Sequence, residues 1–268
     1  MKEKIELFDN NKIYIYGKCT CCENIDYISK KIKEYNCWEP NISNVIIDIL
    51  KQKKNNIMFD IGTNIGYFSI ISYKYCNKIY SFDANINNIK MLNESIILNN
   101  IDNIETFNYC IAESEDIFYK TSLIHVHNIG SMQVCECNKD ESNIISLKLD
   151  NFILNNNITN IDIIKIDIEG SELFCLKGLI NTLKTDIIKN IIIEITPIWS
   201  IDIAINILNI LNNNNYKLYD IGLNEYGNIN DNNINLNTVK SNIINNISDF
   251  IKLINIQTNI LAIKNIIL

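Results

Sequence analysis

The chain contains no arginine. All 24 of its basic residues are lysine, set against 31 acidic residues, for a formal net charge of −7. Proteins that grip phosphate backbones usually present a basic face with arginine, whose planar fork matches phosphate. The composition therefore argues against nucleic acid or an anionic membrane as principal partner. No run of 18 or more apolar residues occurs, so no membrane span is expected. The N-terminal stretch MKEKIELFDNNK is charged and lacks the apolar segment of a secretory signal, so a cytoplasmic location is expected. Histidine is nearly absent, with only His125 and His127. The three-glycine dinucleotide fingerprint G-x-G-x-x-G is also missing, which argues against a nicotinamide oxidoreductase.

What is present is a soluble globular composition, 47% hydrophobic and 21% charged over 268 residues. That length suits one large α/β domain, or a domain with a short appendage. The 61 isoleucines and 47 asparagines follow from A/T-rich codons, so tracts such as Asn212 to Asn215 read as tolerated loop filler. Nine cysteines, an odd number, are expected as reduced cytosolic thiols. Cys19, Cys21, Cys22 and Cys37 run C-x-C-C and then a lone cysteine, with no paired histidines, so a structural zinc site is not expected.

The pattern divides into an N-terminal helical and extended appendage (1–50) and an alternating α/β domain (51–268) with an Asn-rich loop near 223–242. Strands are expected over Ile57–Gly62, Lys78–Asp83, Ile104–Ile111, Ile161–Gly170, Asn190–Ile195, Tyr216–Gly222 and Ile260–Ile263. Helices are expected between them, including a continuous one from Leu173 to Leu183 and another from Ile243 to Ile254. The stretch 113–150 has no clear period. Strands alternating with helices mean right-handed crossovers and a mostly parallel sheet covered on both faces. Such sheets bind ligands at the carboxyl ends of the strands beside the topological switch point.

Two strand ends carry unusual residues there. The first runs Asp60-Ile61-Gly62-Thr63-Asn64-Ile65-Gly66, a D-x-G-x-N-x-G loop. Gly62 and Gly66 permit positive φ and close backbone approach. Asn64 stands where a middle glycine would admit a pyrophosphate, so the loop suits a nucleoside without a diphosphate. The second strand ends at Asp83, 17 residues past Gly66. Its two carboxylate oxygens match the vicinal hydroxyls of a ribose.

Together these residues resemble the S-adenosylmethionine-dependent methyltransferases. The segment Ile164 to Glu172 resembles the K-x-D-x-E-G-x-E piece of the FkbM-type family. His127 to Ser131 is similar to its N-x-G-x-S piece, Leu147 to Asp150 to its T-L-D piece, and Cys37 to Pro40 to its W-E-P piece. Thr63, Asp83 and Lys148 stand where that family usually has Ala, Glu and Thr. The resemblance implies a class I methyltransferase fold: a Rossmann-like, seven-stranded, mostly parallel sheet with helices on both faces and an antiparallel last strand. It implies transfer of the methyl of S-adenosyl-L-methionine to a hydroxyl of a sugar or other small molecule, with Asp60, Gly62, Asn64, Gly66 and Asp83 binding the cofactor. A methyltransferase-fold binding or scaffold protein without activity is the alternative.

An alcohol is a poor nucleophile at neutral pH, so a base or metal is needed near the methyl. In the usual strand order Asp167 lies close to the glycine loop, which makes it the first candidate. Glu169, Glu172 and Glu194 are possible partners, and Lys165, on the same strand face, is placed to pair with Asp167. Glu172 also suits a helix start, where carboxylates meet free N–H groups. His127, beside the N-x-G-x-S piece, is the other candidate base. Asp167 and Glu194 offer the oxygen donors that Mg²⁺ takes, but no metal motif accompanies them.

Overall fold

The computed structural model describes residues 2–7, 10–17, 26–125, 128–222, 234–254 and 256–265. The apolar runs along the chain become one seven-stranded sheet. Numbering only its strands in chain order, these are β1 (Asn56–Ile61), β2 (Cys76–Phe82), β3 (Ile104–Phe107), β4 (Ile163–Ile166), β5 (Asn190–Ile195), β6 (Tyr216–Asp220) and β7 (Thr258–Lys264). Their order is β6-β7-β5-β4-β1-β2-β3. The five strands β1 to β5 pair parallel, and β7 runs antiparallel to both β5 and β6. This is the sheet that the resemblance implies. The chain reverses its direction of travel across the sheet between β4 and β1, which creates the switch point.

Both faces of the sheet are covered, which is why its central strands read as nearly unbroken apolar runs. On one face Phe59, Ile61, Ile164, Ile166 and Ile193 pack against helices Leu149–Asn155, Glu172–Gly178 and Ile201–Asn213. On the other, Met58, Ile79, Ile163 and Ile192 meet helices Pro40–Lys51, Tyr67–Ser72 and Ile86–Leu98. The N-terminal hairpin, Lys2–Glu6 with Lys12–Tyr16, joins this second layer through Ile13 and Ile15, both fully buried. Alternation along β4 sends Ile163 and Lys165 to the second face. In β1 it sends Met58 and Asp60 the same way, so a lysine and an aspartate share one side of the sheet.

Several expected elements differ in extent. The run 104–111 is two strands: β3 stays in the large sheet, while Cys110–Ile111 pairs with Ile144–Leu147. The chain turns between them because the Asn108 amide donates to the carbonyls of Asp83 and Ala84 at 2.9 and 3.0 Å. The stretch 113–150 contains a hairpin, Phe118–His125 with Asn128–Glu136, in a four-stranded sheet of its own. The helix from 173 to 183 breaks in two at Gly178–Leu179. Asp150 caps the second piece by accepting from the N–H groups of Asn181 and Thr182 and from the Thr182 hydroxyl. The last helix covers only Ile247–Leu253, because Ile243 and Ile244 instead join the edge of β6. Among the described residues no helix is long and apolar enough to cross a membrane.

Candidate functional site

The loop after β1 is built by hydrogen bonds to the end of β2. The N–H groups of Gly62 and Thr63 both donate to the Phe82 carbonyl, at 2.9 and 3.0 Å. Asn64 then takes the left-handed conformation, with φ 52°, and its N–H donates to Asp83 Oδ2 at 2.8 Å. Gly62 has φ 78°, and a Cβ there would lie 1.7 Å from the Asp167 carbonyl oxygen. Glycine at 62 is thus what lets the loop after β1 lie against the end of β4. At Gly66, φ 89°, a Cβ would meet Leu92 Cδ1 at 2.2 Å.

Asp60 sits beneath this loop with no solvent exposure. Its Oδ2 accepts from the hydroxyls of Thr63 and Ser69 at 2.8 and 2.6 Å. Its Oδ1 has no hydrogen-bond partner among the described residues. A buried carboxylate of this kind needs a cation nearby. Lys165 stands opposite Asp60 in the β4–β1 register. The lysine is itself buried, its ammonium 4.6 Å from the Phe68 ring centroid and 2.9 Å from Asp167 Oδ2. Burial alone would lower the ammonium, but Asp167, Asp60 and Glu39 outweigh it and hold it above the usual lysine range.

Beyond Asp167 the backbone arches. Glu169 has φ 51° and Gly170 φ 98°, two consecutive left-handed residues. Glu172 Oε1 accepts from the N–H groups of Ile168 and Gly170 at 3.0 and 3.1 Å, which pins the arch on both sides of Glu169. Non-glycine residues in this region are costly and persist only where their surroundings hold them. Burial, then Asp167 and Glu172, push the Glu169 carboxyl up to about 8. At the end of β5 Glu194 is buried and accepts from Gln257 Nε2 at 3.1 Å. Burial, then Asp167 and Glu39, raise it well above the usual carboxylate range.

These strand ends surround a cavity of about 440 Å³. That lies within the range of small-molecule sites. One wall is Gly62 to Ile65 with Asp83; another is Lys165, Asp167 and Glu169, with Glu194 and Gln257 beside them. Asp83 accepts from the N–H groups of Asn64 and Asn85 and from the Asn88 amide. A carboxylate has about four lone-pair positions. Three are filled here, leaving room for one further donor on Oδ2. Burial, partly offset by those three hydrogen bonds, pushes Asp83 up to about 6.

Of the residues singled out from the sequence, Gly62, Asn64, Asp83, Lys165, Asp167 and Glu169 meet on the cavity wall. Asp60 and Gly66 lie behind it, where they shape the loop. Glu172 is a clamp on the arch. His127 lies outside the described residues, as do Cys19, Cys21 and Cys22; His125 closes the strand Phe118–His125. Among the described residues no cluster of three or more His, Cys, Asp or Glu is placed to hold a metal. The cavity also uses side chains that sequence reasoning did not single out, among them Tyr27, Phe68, Tyr109 and Gln257. Nothing in their local sequence marks them. Glu39, from the W-E-P piece, lines it too, held at φ 41° just before Pro40.

Comparison with known proteins gives a direct family match. The family model described as the methyltransferase FkbM domain matches residues 60–218, more than half of the chain. No curated protein sequence matches significantly. Among solved structures, a methyltransferase from Agrobacterium tumefaciens described as SAM-dependent superposes with a TM-score of 0.49 at 8% identity, covering 97% of this chain and 69% of that one. An rRNA methylase from Streptococcus thermophilus gives 0.45 at 11% identity, over 81% and 92% of the two chains. A putative methyltransferase from Streptococcus mutans, in complex with SAH, gives 0.44 at 12% identity, over 81% and 94%.

Proposed function

Because the chain belongs to the FkbM methyltransferase family, we propose that it takes S-adenosylmethionine as methyl donor and transfers the methyl to a hydroxyl of a small molecule or glycan. The observation that carries this reading is the convergence, at one switch point, of a glycine loop, an acceptor carboxylate (Asp83) and a paired lysine and aspartate (Lys165 and Asp167) around a cavity of small-molecule size.

The residues present fit the donor. Asp83 Oδ2 retains capacity for one ribose hydroxyl, and the backbone of Gly62 to Ile65 forms the wall beside it. The Asp167 carboxylate suits a cationic group, and such a group would in turn favour ionisation of Glu169 beside it. When bound, S-adenosylmethionine supplies a methyl group activated by a sulfonium leaving group. The protein's part is to hold the acceptor oxygen in line, and positioning of this kind is worth about 7–11 kcal/mol. Lys165 fixes Asp167 through a 2.9 Å ion pair and, with its raised affinity for protons, stays charged rather than acting as a base. The acceptor proton then passes to the Asp167 carboxylate, beside which the pinned arch holds the Glu169 carboxyl, itself pushed up to about 8.

Calorimetry and thermal shift with S-adenosylmethionine and S-adenosylhomocysteine test the reading. The wild type is expected to bind both, and Asp83→Ala to weaken binding by roughly 10-fold or more, the equivalent of one lost hydrogen bond to a charged group. Incubation with methyl-labelled donor and a panel of polyols then identifies the acceptor class. No heat and no thermal shift with either nucleoside would overturn the proposal.

A further inference from the structure

Trp199 belongs to two surfaces at once. It lines the cavity, and it is also half exposed, beside Ile198 at 62%, Ile201 at 58% and Ile256 at 49%. The Ile198 N–H donates to the Ile256 carbonyl at 3.3 Å, so the loop after β5 and the segment before β7 lie side by side. The next residue, Gln257, returns to the cavity wall. Large apolar side chains scattered singly on a surface need no explanation, but a contiguous set at the mouth of a cavity does. Inside the mouth the wall turns to oxygen, with Asp167, Glu169 and Glu194. Lys165 is the one basic residue on the described wall, and Asp167 already holds it.

We propose, resting on the methyl-transfer reading of the same cavity, that the acceptor is an uncharged amphiphile. Its hydroxylated head enters beside Asp167, Glu169 and Glu194, and its hydrocarbon portion lies across Ile198, Trp199, Ile201 and Ile256. The carboxyl groups supply the acceptors that sugar or polyol hydroxyls need, and with Lys165 held by Asp167 the described wall offers no cation to receive an anionic head. The formal charge of −7 works in the same direction against an anionic lipid surface. A bare sugar would leave the four apolar side chains in water, whereas a hydrocarbon chain continuous with the head covers them.

The test compares octyl glucoside, kept below its micelle threshold, with methyl glucoside. Each is titrated into the full chain with S-adenosylhomocysteine present. Fluorescence reports binding, because both of the chain's tryptophans, Trp38 and Trp199, line the cavity. Octyl glucoside is expected to bind about tenfold tighter, equivalent to burying roughly two methylene groups. Ile198→Asp with Ile201→Asp, both exposed positions, is expected to remove most of that gain while leaving the thermal shift with S-adenosylhomocysteine unchanged. Equal affinity for the two glucosides overturns the proposal, as does an advantage that survives the double substitution. Dimerisation in sedimentation velocity that the aspartate pair abolishes also overturns it, because a second copy then covers the face. Co-sedimentation with phosphatidylcholine vesicles, without binding of monomeric octyl glucoside, does the same in favour of a membrane. If S-adenosylhomocysteine itself fails to bind, the donor reading falls instead, and the comparison of glucosides repeated without it still decides the amphiphile.

Discussion

Replacing Lys165 by methionine removes one positive charge and leaves the apolar contact with Phe68 largely filled. Two carboxylates lose their cation, but they do not lose it equally. Asp167 keeps 28% of its side chain in solvent, so water can take over part of the lysine's role. Asp60 has no exposure, and its Oδ1 has no hydrogen-bond partner among the described residues, so the field of Lys165 is what offsets its burial. Breaking a buried ion pair by removing one partner costs about 3–5 kcal/mol, mostly because an uncompensated charge stays behind. Against a total stability of about 5–15 kcal/mol that is a large fraction. The cost should therefore reside mainly on Asp60. Urea denaturation at pH 7 is expected to show a loss of about 3–5 kcal/mol for Lys165→Met. Adding Asp60→Asn should recover most of it, since the amide oxygen can still accept from Thr63 and Ser69. Adding Asp167→Asn should recover much less. A loss below about 1 kcal/mol, the size of a surface pair, would refute the reasoning. Equal rescue by the two asparagine substitutions would refute it as well.

The two loop glycines should separate by what a methyl group would meet. Gly62→Ala drives a Cβ into the Asp167 backbone carbonyl and is expected to cost more than about 3 kcal/mol, whereas Gly66→Ala meets the movable end of Leu92 and should cost roughly 1–2 kcal/mol, both read from urea midpoints. Stability should fall as pH rises from about 4.5 to about 8. Glu169, Glu172, Glu194 and Asp83 all have raised affinities in the folded state, so the native protein keeps protons that the unfolded chain has released. Midpoints at pH 5, 6.5 and 8 check the sign, and Glu169→Gln should flatten the slope; a rise with pH would contradict the burial of these groups. Asp150→Ala removes three hydrogen bonds from the start of the helix Ile180–Leu183 and is expected to cost about 2 kcal/mol in the same melts, with nucleoside binding unchanged because Asp150 lies off the cavity wall.

The central sheet was legible because parallel strands buried on both faces must be apolar throughout, and Ile57–Gly62 and Asn190–Ile195 have few competing readings. Carboxylates at the ends of such runs, Asp60, Asp83, Asp167 and Glu194, stand out against that background. The small sheet between 110 and 147 was not legible. One of its strands is only two residues long, Cys110–Ile111, and what splits it from β3 is a side-chain bond from Asn108 to carbonyls some 25 residues earlier. Gly178 gave no local sign that it would divide a helix, because the carbonyl a Cβ would strike there belongs to Ala112. The role of Glu172 had two equally good readings from sequence. Only the placement of its Oε1 against two N–H groups assigns it to the arch. In each case the deciding partner is distant in sequence or is a backbone atom, and neither leaves a trace in periodicity.

Charge explains why the candidate site looks as it does. With no arginine in the chain, one lysine neutralises the carboxyl groups on the described cavity wall, and it is committed to Asp60 and Asp167. Glu169 and Glu194 have no cation of their own, and burial raises both, Glu169 to about 8. A protonated Glu169 is a hydrogen-bond donor as well as an acceptor, and a neutral hydroxyl can bond to either form. An anionic acceptor would meet Asp167 and the incipient charge of Glu169 with no cation to receive it. The same shortage of positive charge that argued against nucleic acid at the level of composition thus reappears at the scale of a few ångströms, where it disfavours an anionic ligand.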